Sequence, residues 1–179
     1  MNRVRVTFIS LLALSIIAIP VSRADEEKKM ELTSPAFKNQ EPIPEMYTCH
    51  GGNVNPELNI ANIPQNTKSL ALIVDDPDAP EGTWVHWVMY DIPPKVVKIE
   101  KNSKVGIEGL SDLGTFNYRG PCPANNRVHR YSFRMYALSE RLELNEGFIK
   151  SDLERKMRGK ILSQAELVGT YKNPDKYNE

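Results

Sequence analysis

The residues best suited to chemistry gather in four short segments of a 179-residue chain. Histidine occurs only three times, as His50, His86 and His129, and each one lies inside one of these segments. An imidazole donates, accepts or carries a proton near neutral pH, which suits anion binding, metal ligation and acid–base catalysis alike. The segments are Tyr47–Asn53, Asp75–Pro80, Trp84–Trp87, and Gly114–Pro123 with its continuation His129–Tyr131.

Two carboxylates, Asp76 and Asp78, directly follow an apolar run. Residues two apart on an extended strand point to one face, so both carboxylates could hold a histidine protonated or assist acid–base chemistry. A plain turn is the alternative, because Asp and Pro favour turns without any function. His86 has a similar alternative as a hydrogen-bonded core residue, whereas His129 follows a long loop, which favours a ligand role.

Common catalytic motifs are missing from the sequence. It contains no G-x-S-x-G, no H-E-x-x-H and no G-x-x-x-x-G-K-[ST], so we assign no catalytic residue. The count of three histidines leaves a zinc site open. The segment Gly120–Pro123 is either a structural bend or a place where backbone N–H groups approach an anion closely.

Composition indicates one ordinary globular domain. Apolar residues make up 40% and charged residues 26% of the chain, and 23 basic residues balance 23 acidic ones. A chain of this length buries a sizeable core. The zero net charge gives no support for nucleic acid as a partner.

The first 24 residues have the pattern of a signal peptide. Arg3 and Arg5 precede an apolar run from Val6 to Ile19, and a small-x-small site ends at Ala24. A permanent anchor is the alternative, but a membrane span needs about 20 apolar residues. We therefore expect cleavage near Ala24, a flexible stretch over 25–30, one domain over 31–179, and a periplasmic or secreted protein without a membrane span.

Two cysteines, Cys49 and Cys122, fall in two of the four segments. In an oxidising compartment an even cysteine count favours pairing, and two cysteines allow one disulfide. Two separate buried thiols are the alternative.

The segments that position these residues are mostly strands. Many prolines punctuate short apolar runs, which indicates strands joined by structured loops. One helix is predicted near Ser151, because Ser151 and Glu154 have capping-box spacing and Leu153, Met157 and Ile161 form an apolar stripe. Gly159 weakens that stripe. The fold class is mostly β, or α+β, and the predicted strands are Ser69–Val74, Trp84–Ile92, Arg130–Leu138 and Ala165–Tyr171.

Taken together, these motifs resemble the phosphatidylethanolamine-binding protein family, most closely its bacterial branch, known as Raf-kinase-inhibitor-like. The resemblance covers about residues 31–172. It rests on Asp76–Pro80, Trp84-x-His86, Gly120-Pro-x-Pro123 with His129–Tyr131, and on Tyr47–Cys49 and Ala165–Tyr171.

The resemblance implies a central antiparallel β-sheet packed with a smaller sheet and flanking helices. It also implies a pocket for phosphate, acetate or a phospholipid head group, and a cis peptide bond at Ala79–Pro80. The pocket residues carried over are Asp76, His86, Gly120, His129 and Tyr131, with Trp84, Pro121 and Pro123 as walls.

One position departs from the family pattern, because His50 stands where the bacterial branch usually has Asp. If its imidazole points inward, the pocket favours anions more strongly and depends more on pH. We predict an exported protein, without cofactor or metal, that binds a small anion or a phospholipid head group and regulates or inhibits a protein partner. The alternative is an acid–base hydrolase that uses Asp76 with His86 or His129.

Overall fold

The computed structural model describes residues 28–174, so the predicted signal peptide lies outside the described residues. This part of the chain forms two antiparallel sheets and one α-helix. The elements, in chain order, are β1 (Glu31–Thr33), a 3-10 turn (Glu45–Tyr47), β2 (Leu58–Ala61), β3 (Ser69–Asp76), β4 (Trp84–Ile92), β5 (Lys98–Ile99), β6 (Ile107–Glu108), β7 (Val128–Leu138), α1 (Lys150–Met157) and β8 (Ile161–Lys172).

The larger sheet has five strands in the order β6-β4-β3-β7-β8, and the smaller has three in the order β1-β2-β5. Every neighbouring pair is antiparallel. The expected fold class, a central antiparallel sheet packed with a smaller one, is confirmed. The resemblance implied several flanking helices, whereas residues 28–174 contain a single α-helix.

Both faces of the large sheet are buried, which explains the continuous apolar run of β3. Leu70, Leu72 and Val74 pack in a cluster with the small sheet. Ala71 and Ile73 point the other way, into a cluster with the helix. Because successive side chains of a strand alternate between faces, a strand between two apolar layers reads as unbroken hydrophobic sequence.

The strand predictions are confirmed with small extensions. β4 has the predicted bounds Trp84–Ile92, and β3 continues two residues beyond the predicted end, to Asp76. β7 begins at Val128, so His129 already belongs to this strand. Asp76 and His129 therefore lie at the ends of neighbouring strands, whereas Asp78 lies in the turn after β3.

The helix begins within one residue of the predicted start near Ser151, but its cap and the third residue of the predicted stripe, Ile161, were wrong. Leu153 and Met157 are buried. The N-cap is Ile149, whose N–H donates to the Asp152 carboxylate at 3.2 Å, so Ser151 and Glu154 form no capping box. Gly159 adopts a left-handed φ of 74°, which ends the helix and turns Ile161 into strand β8.

Two further findings concern the N-terminal region and the membrane. Met30, placed by the sequence in a flexible stretch, is 2% exposed and packs in the core beside Leu32. Within residues 28–174, the single helix has eight residues, and no helix has the length and apolarity to cross a membrane.

The expected cis bond at Ala79–Pro80 is absent, because no peptide bond among the described residues is cis. The Ala79 carbonyl accepts a hydrogen bond from the Gly82 N–H at 3.1 Å, which closes a turn with the usual trans bond. Trans is the preferred state of X–Pro bonds by about 0.5–1 kcal/mol unless the surroundings offset it.

Candidate functional site

Three strands of the large sheet converge at one end. β3 ends at Asp76, which pairs with Trp84 at the start of β4. On the other side of β3, Asp75 pairs with Ser132 of β7, so His129 near the start of β7 lies close to the same end of the sheet. The antiparallel register therefore brings together motifs that are separated by some 50 residues in sequence.

A cavity of about 480 Å³ opens at this end of the sheet. Four of the residues expected at a ligand pocket line it: Trp84, His86, Gly120 and His129. The other lining residues were not singled out as pocket residues from the sequence; they are Ala79, Pro80, Glu81, Leu113, Arg119, Cys122 and Ala124.

Asp76 orients His129. The Asp76 carboxylate oxygen Oδ2 lies 2.7 Å from His129 Nδ1, and the two side chains are 5% and 2% exposed. The second carboxylate oxygen accepts the backbone N–H of Asp78 at 2.8 Å. A buried carboxylate needs such partners, since an unpaired charge in the interior is costly.

His86 is held in one tautomer. Its Nδ1 lies 2.7 Å from the backbone carbonyl oxygen of Arg119, and because a carbonyl only accepts, Nδ1 carries the hydrogen. Burial lowers the pKa of His86 below 6.5, and the nearby carboxylates Asp76, Asp75 and Asp112 offset only part of this effect. In the neutral ring Nε2 is therefore an acceptor.

Tyr131 packs against His86 and leaves a buried hydroxyl. The two rings meet edge to face, with their centroids 5.2 Å apart. Burial and the charge of Asp76 raise the Tyr131 pKa above its ordinary value, so the hydroxyl keeps its hydrogen. This hydroxyl has no hydrogen-bond partner among the described residues. Tyr131 itself is 1% exposed and lies outside the cavity lining, behind His86 and close to the Asp76 carboxylate.

The wall formed by 120–123 is fastened to the segment that begins at Tyr47. The predicted Cys49–Cys122 disulfide is confirmed, with an S–S distance of 2.11 Å, and the Cys49 N–H donates to the Pro121 carbonyl at 3.1 Å. The Gly120 N–H donates to the Asn53 side chain at 2.8 Å, so it is already used. Gly120 is thus required by close packing against a neighbouring loop.

Asp78 does not share a histidine with Asp76, contrary to the geometry expected from an extended strand. The strand ends at Asp76, and the Asp78 carboxylate instead binds Arg130 through the guanidinium and the backbone N–H. This pairing lowers the Asp78 pKa to about 2. The pair lies beside the site and leaves Asp76 as the carboxylate on His129.

The three histidines do not form a metal site. Within residues 28–174, no three His, Cys, Asp or Glu side chains group closely enough to hold a metal ion. His50 lies outside the cavity lining, with its Nδ1 3.0 Å from the Tyr171 hydroxyl and 3.3 Å from Cys49 Sγ. Two histidines therefore line the cavity, and the third, next to Cys49, does not.

The profile of the phosphatidylethanolamine-binding protein family matches residues 33–172, nearly all of the described chain. The chain belongs to this family.

Solved structures agree with this assignment. A phosphatidylethanolamine-binding protein homologue of Chlamydia trachomatis superposes with a TM-score of 0.78 at 40% identity, covering 81% of this chain and 98% of that one. Escherichia coli YbcL, described as a new member of the mammalian PEBP family, gives a TM-score of 0.76 at 26% identity, covering 82% and 99%. A UPF0098 protein of Aquifex aeolicus is 48% identical over 151 residues, which cover 80% of this chain and 88% of the relative.

Not every pocket residue implied by the family resemblance lines the cavity of this member. Pro121 and Pro123 are buried outside the lining, and their carbonyls accept hydrogen bonds from Cys49 and Asn173. Arg119 lines the cavity instead. The only sequence signal for Arg119 was its position in the segment that starts at Gly114, since an arginine in a loop has no distinctive pattern.

Proposed function

We propose that this member of the phosphatidylethanolamine-binding protein family binds a small anionic group, such as a phosphate or carboxylate, at the cavity between His86 and His129. The observation that carries the proposal is the convergence of His86, His129 and Arg119 on the lining of one cavity of about 480 Å³. Cationic and N–H donors bind anions through charge-assisted hydrogen bonds, which are roughly twice as strong as neutral ones.

The cavity lining offers a ligand both polar and apolar contacts. His86, His129 and Arg119 supply the polar contacts, with Glu81 also in the lining. Trp84, Ala79, Pro80 and Ala124 supply the apolar ones, together with Leu113, which is 57% exposed. A phosphorylated head group attached to an apolar chain matches both kinds of contact. An anionic group on a protein partner would use the same polar contacts.

The tautomer of His86 restricts how the anion is held. Neutral His86 presents the acceptor Nε2, so it accepts a hydrogen from a protonated ligand group such as a monohydrogen phosphate. A fully ionised anion instead requires His86 to take up a proton, which burial opposes.

Isothermal titration with inorganic phosphate and with phosphorylethanolamine tests this proposal. His86→Ala and His129→Ala should each weaken binding by about 1.5–3 kcal/mol, the range for hydrogen bonds to charged groups. His50→Ala is the matched control, because it removes a histidine outside the cavity lining and should leave affinity unchanged. Equal affinity in all four proteins, with the fold intact by circular dichroism, would refute the site.

The contact between Asp76 and His129 also supports a second candidate, an acid–base hydrolase. A carboxylate that orients a histidine at 2.7 Å is the arrangement found in catalytic triads. However, the second ring nitrogen of His129 lies 3.1 Å from the Asn125 side chain, where a triad places a nucleophile. Turnover of phosphomonoester, ester or amide substrates that is lost in His129→Ala would favour the hydrolase.

A further inference from the structure

His129 is held at both ring nitrogens. Nδ1 contacts the Asp76 carboxylate at 2.7 Å, and Nε2 contacts Asn125 Oδ1 at 3.1 Å. The backbone N–H of Arg127 donates to the same Asn125 atom at 2.9 Å, which identifies that atom as the amide oxygen. Both partners of the ring are therefore acceptors, and a ring with hydrogens on both nitrogens satisfies both.

Only one of these two contacts can be exchanged for a ligand at modest cost. Displacing Asp76 would leave a carboxylate, 3% exposed, without its histidine, which is strongly unfavourable. Displacing Asn125 breaks a hydrogen bond to a neutral amide on a half-buried residue of the loop before β7. The released amide can be hydrated, so the exchange costs little. Asn125 itself lies outside the cavity lining, but its neighbour Ala124 belongs to it, so the loop borders the site.

We infer that Asn125 is an internal ligand of His129, which occupies the anion position and is displaced when an anion binds. The inference rests on the proposed function. An anion replaces a neutral acceptor by a charged one on the same N–H, and this gain drives the exchange. Neutral ligands form no better bond than the amide does, so Asn125 is a specificity-determining residue that selects anions and sets their affinity.

A short series at position 125 tests the inference by titration with inorganic phosphate. Asn125→Ala removes the competitor, and affinity should rise on the order of 2- to 10-fold, the worth of one ordinary hydrogen bond. Asn125→Asp places a charged acceptor on the same nitrogen, so affinity should fall below that of the wild type. Asn126→Ala, at the exposed neighbouring position, is the matched control and should leave affinity unchanged.

The order Ala, Asn, Asp from tightest to weakest distinguishes a competitor from a residue that only shapes the loop, because loop damage would weaken both variants. Phosphate should also shift the side-chain amide resonances of Asn125 in the wild type. Phosphate binding by the wild type with equal or lower affinity in Asn125→Ala overturns the inference and leaves the proposed function standing. If neither the wild type nor Asn125→Ala binds phosphate, the proposed function fails, and the inference with it.

Discussion

Gly120→Ala should damage both stability and binding, because the added methyl group has no room. A Cβ at this position would lie 2.4 Å from the Tyr47 carbonyl oxygen and 2.7 Å from the Thr48 Cα. Carbon atoms in proteins pack at about 3.5–4.0 Å, so both contacts are well inside the repulsive range. Both clashing atoms are backbone, and no side-chain rotation can relieve the contacts.

The surrounding bonds prevent the two segments from simply moving apart. The Tyr118 hydroxyl donates to the same Tyr47 carbonyl at 3.0 Å, and the Cys49–Cys122 disulfide ties the two segments together. Relief therefore requires a shift of the wall that includes Gly120 and Cys122. Overpacking of this kind costs about 1–3 kcal/mol. At about 2–4 °C for each kcal/mol in a domain of this size, Tm should fall by roughly 2–12 °C.

Thermal unfolding and phosphate titration together provide the assay. Gly114→Ala is the control: Gly114 has a left-handed φ of 69° and nothing within 4 Å of an added Cβ, so only backbone strain of about 1–2 kcal/mol is introduced. Both variants should lose stability, and only Gly120→Ala should lose phosphate affinity. A Gly120→Ala protein with unchanged Tm and unchanged affinity would contradict the packing argument.

Three further outcomes are expected. Sulfate keeps a constant charge over this range and should bind more tightly as the pH falls from about 8 through 6.5. The reason is that burial keeps His86 neutral in the free protein, whereas binding of a fully ionised anion requires His86 to be protonated. An affinity that does not change with pH would contradict this role of His86, and His86→Ala is the control. Replacing Cys49 and Cys122 together by serine removes a disulfide that spans 73 residues in sequence, and the free energy of unfolding should fall by about 4 kcal/mol in the chain-entropy treatment. Thermal unfolding measures this loss of stability, and a loss below about 1 kcal/mol would show that the disulfide contributes little. N-terminal sequencing of protein from the native host should begin near Asp25, and a chain that still starts at Met1 would refute export.

The strands that hold the site were predictable because their signals are local. β4 was found with its exact bounds since aromatic and β-branched residues run from Trp84 to the prolines that follow Ile92. β7 was found because successive residues such as Phe133 and Arg134 alternate between apolar and polar side chains. This two-residue period is typical of a strand whose two faces meet different surroundings. Such patterns depend on a few neighbouring residues, so no knowledge of distant contacts was needed.

The predicted capping box was wrong because a distant contact competes with the local capping signal. Lys150, at the first helical position, extends its ammonium group to the buried Asp75 carboxylate at 2.5 Å. Arg134 binds the same carboxylate. This ion pair joins the helix to β3, and the chain begins its first turn there, with Asp152 as the capping side chain instead of Ser151. The capping-box spacing contained no information about a partner 75 residues away.

The kinds of groups available to the site can be read from the amino-acid sequence. Residue type and position made Asp76, the histidines and the two cysteines candidates, and the even cysteine count favoured the disulfide. That His86 and His129 belong to one pocket was implied by the family resemblance, and both line the cavity. The motifs also indicated the family, because they occur in the family's order along nearly all of the region that the family profile matches.

Which of these groups meet depends on strand register and on contacts between distant segments. The register of β3 against β7 sets Asp76 on His129, whereas His50 contacts Tyr171 and lies outside the cavity lining. Arg119 and Asn125 had no signal of their own, because their roles depend on one carbonyl contact to His86 and one amide contact to His129. Hydrogen bonds of this kind join single atoms on separate segments, and no periodicity or local propensity encodes them.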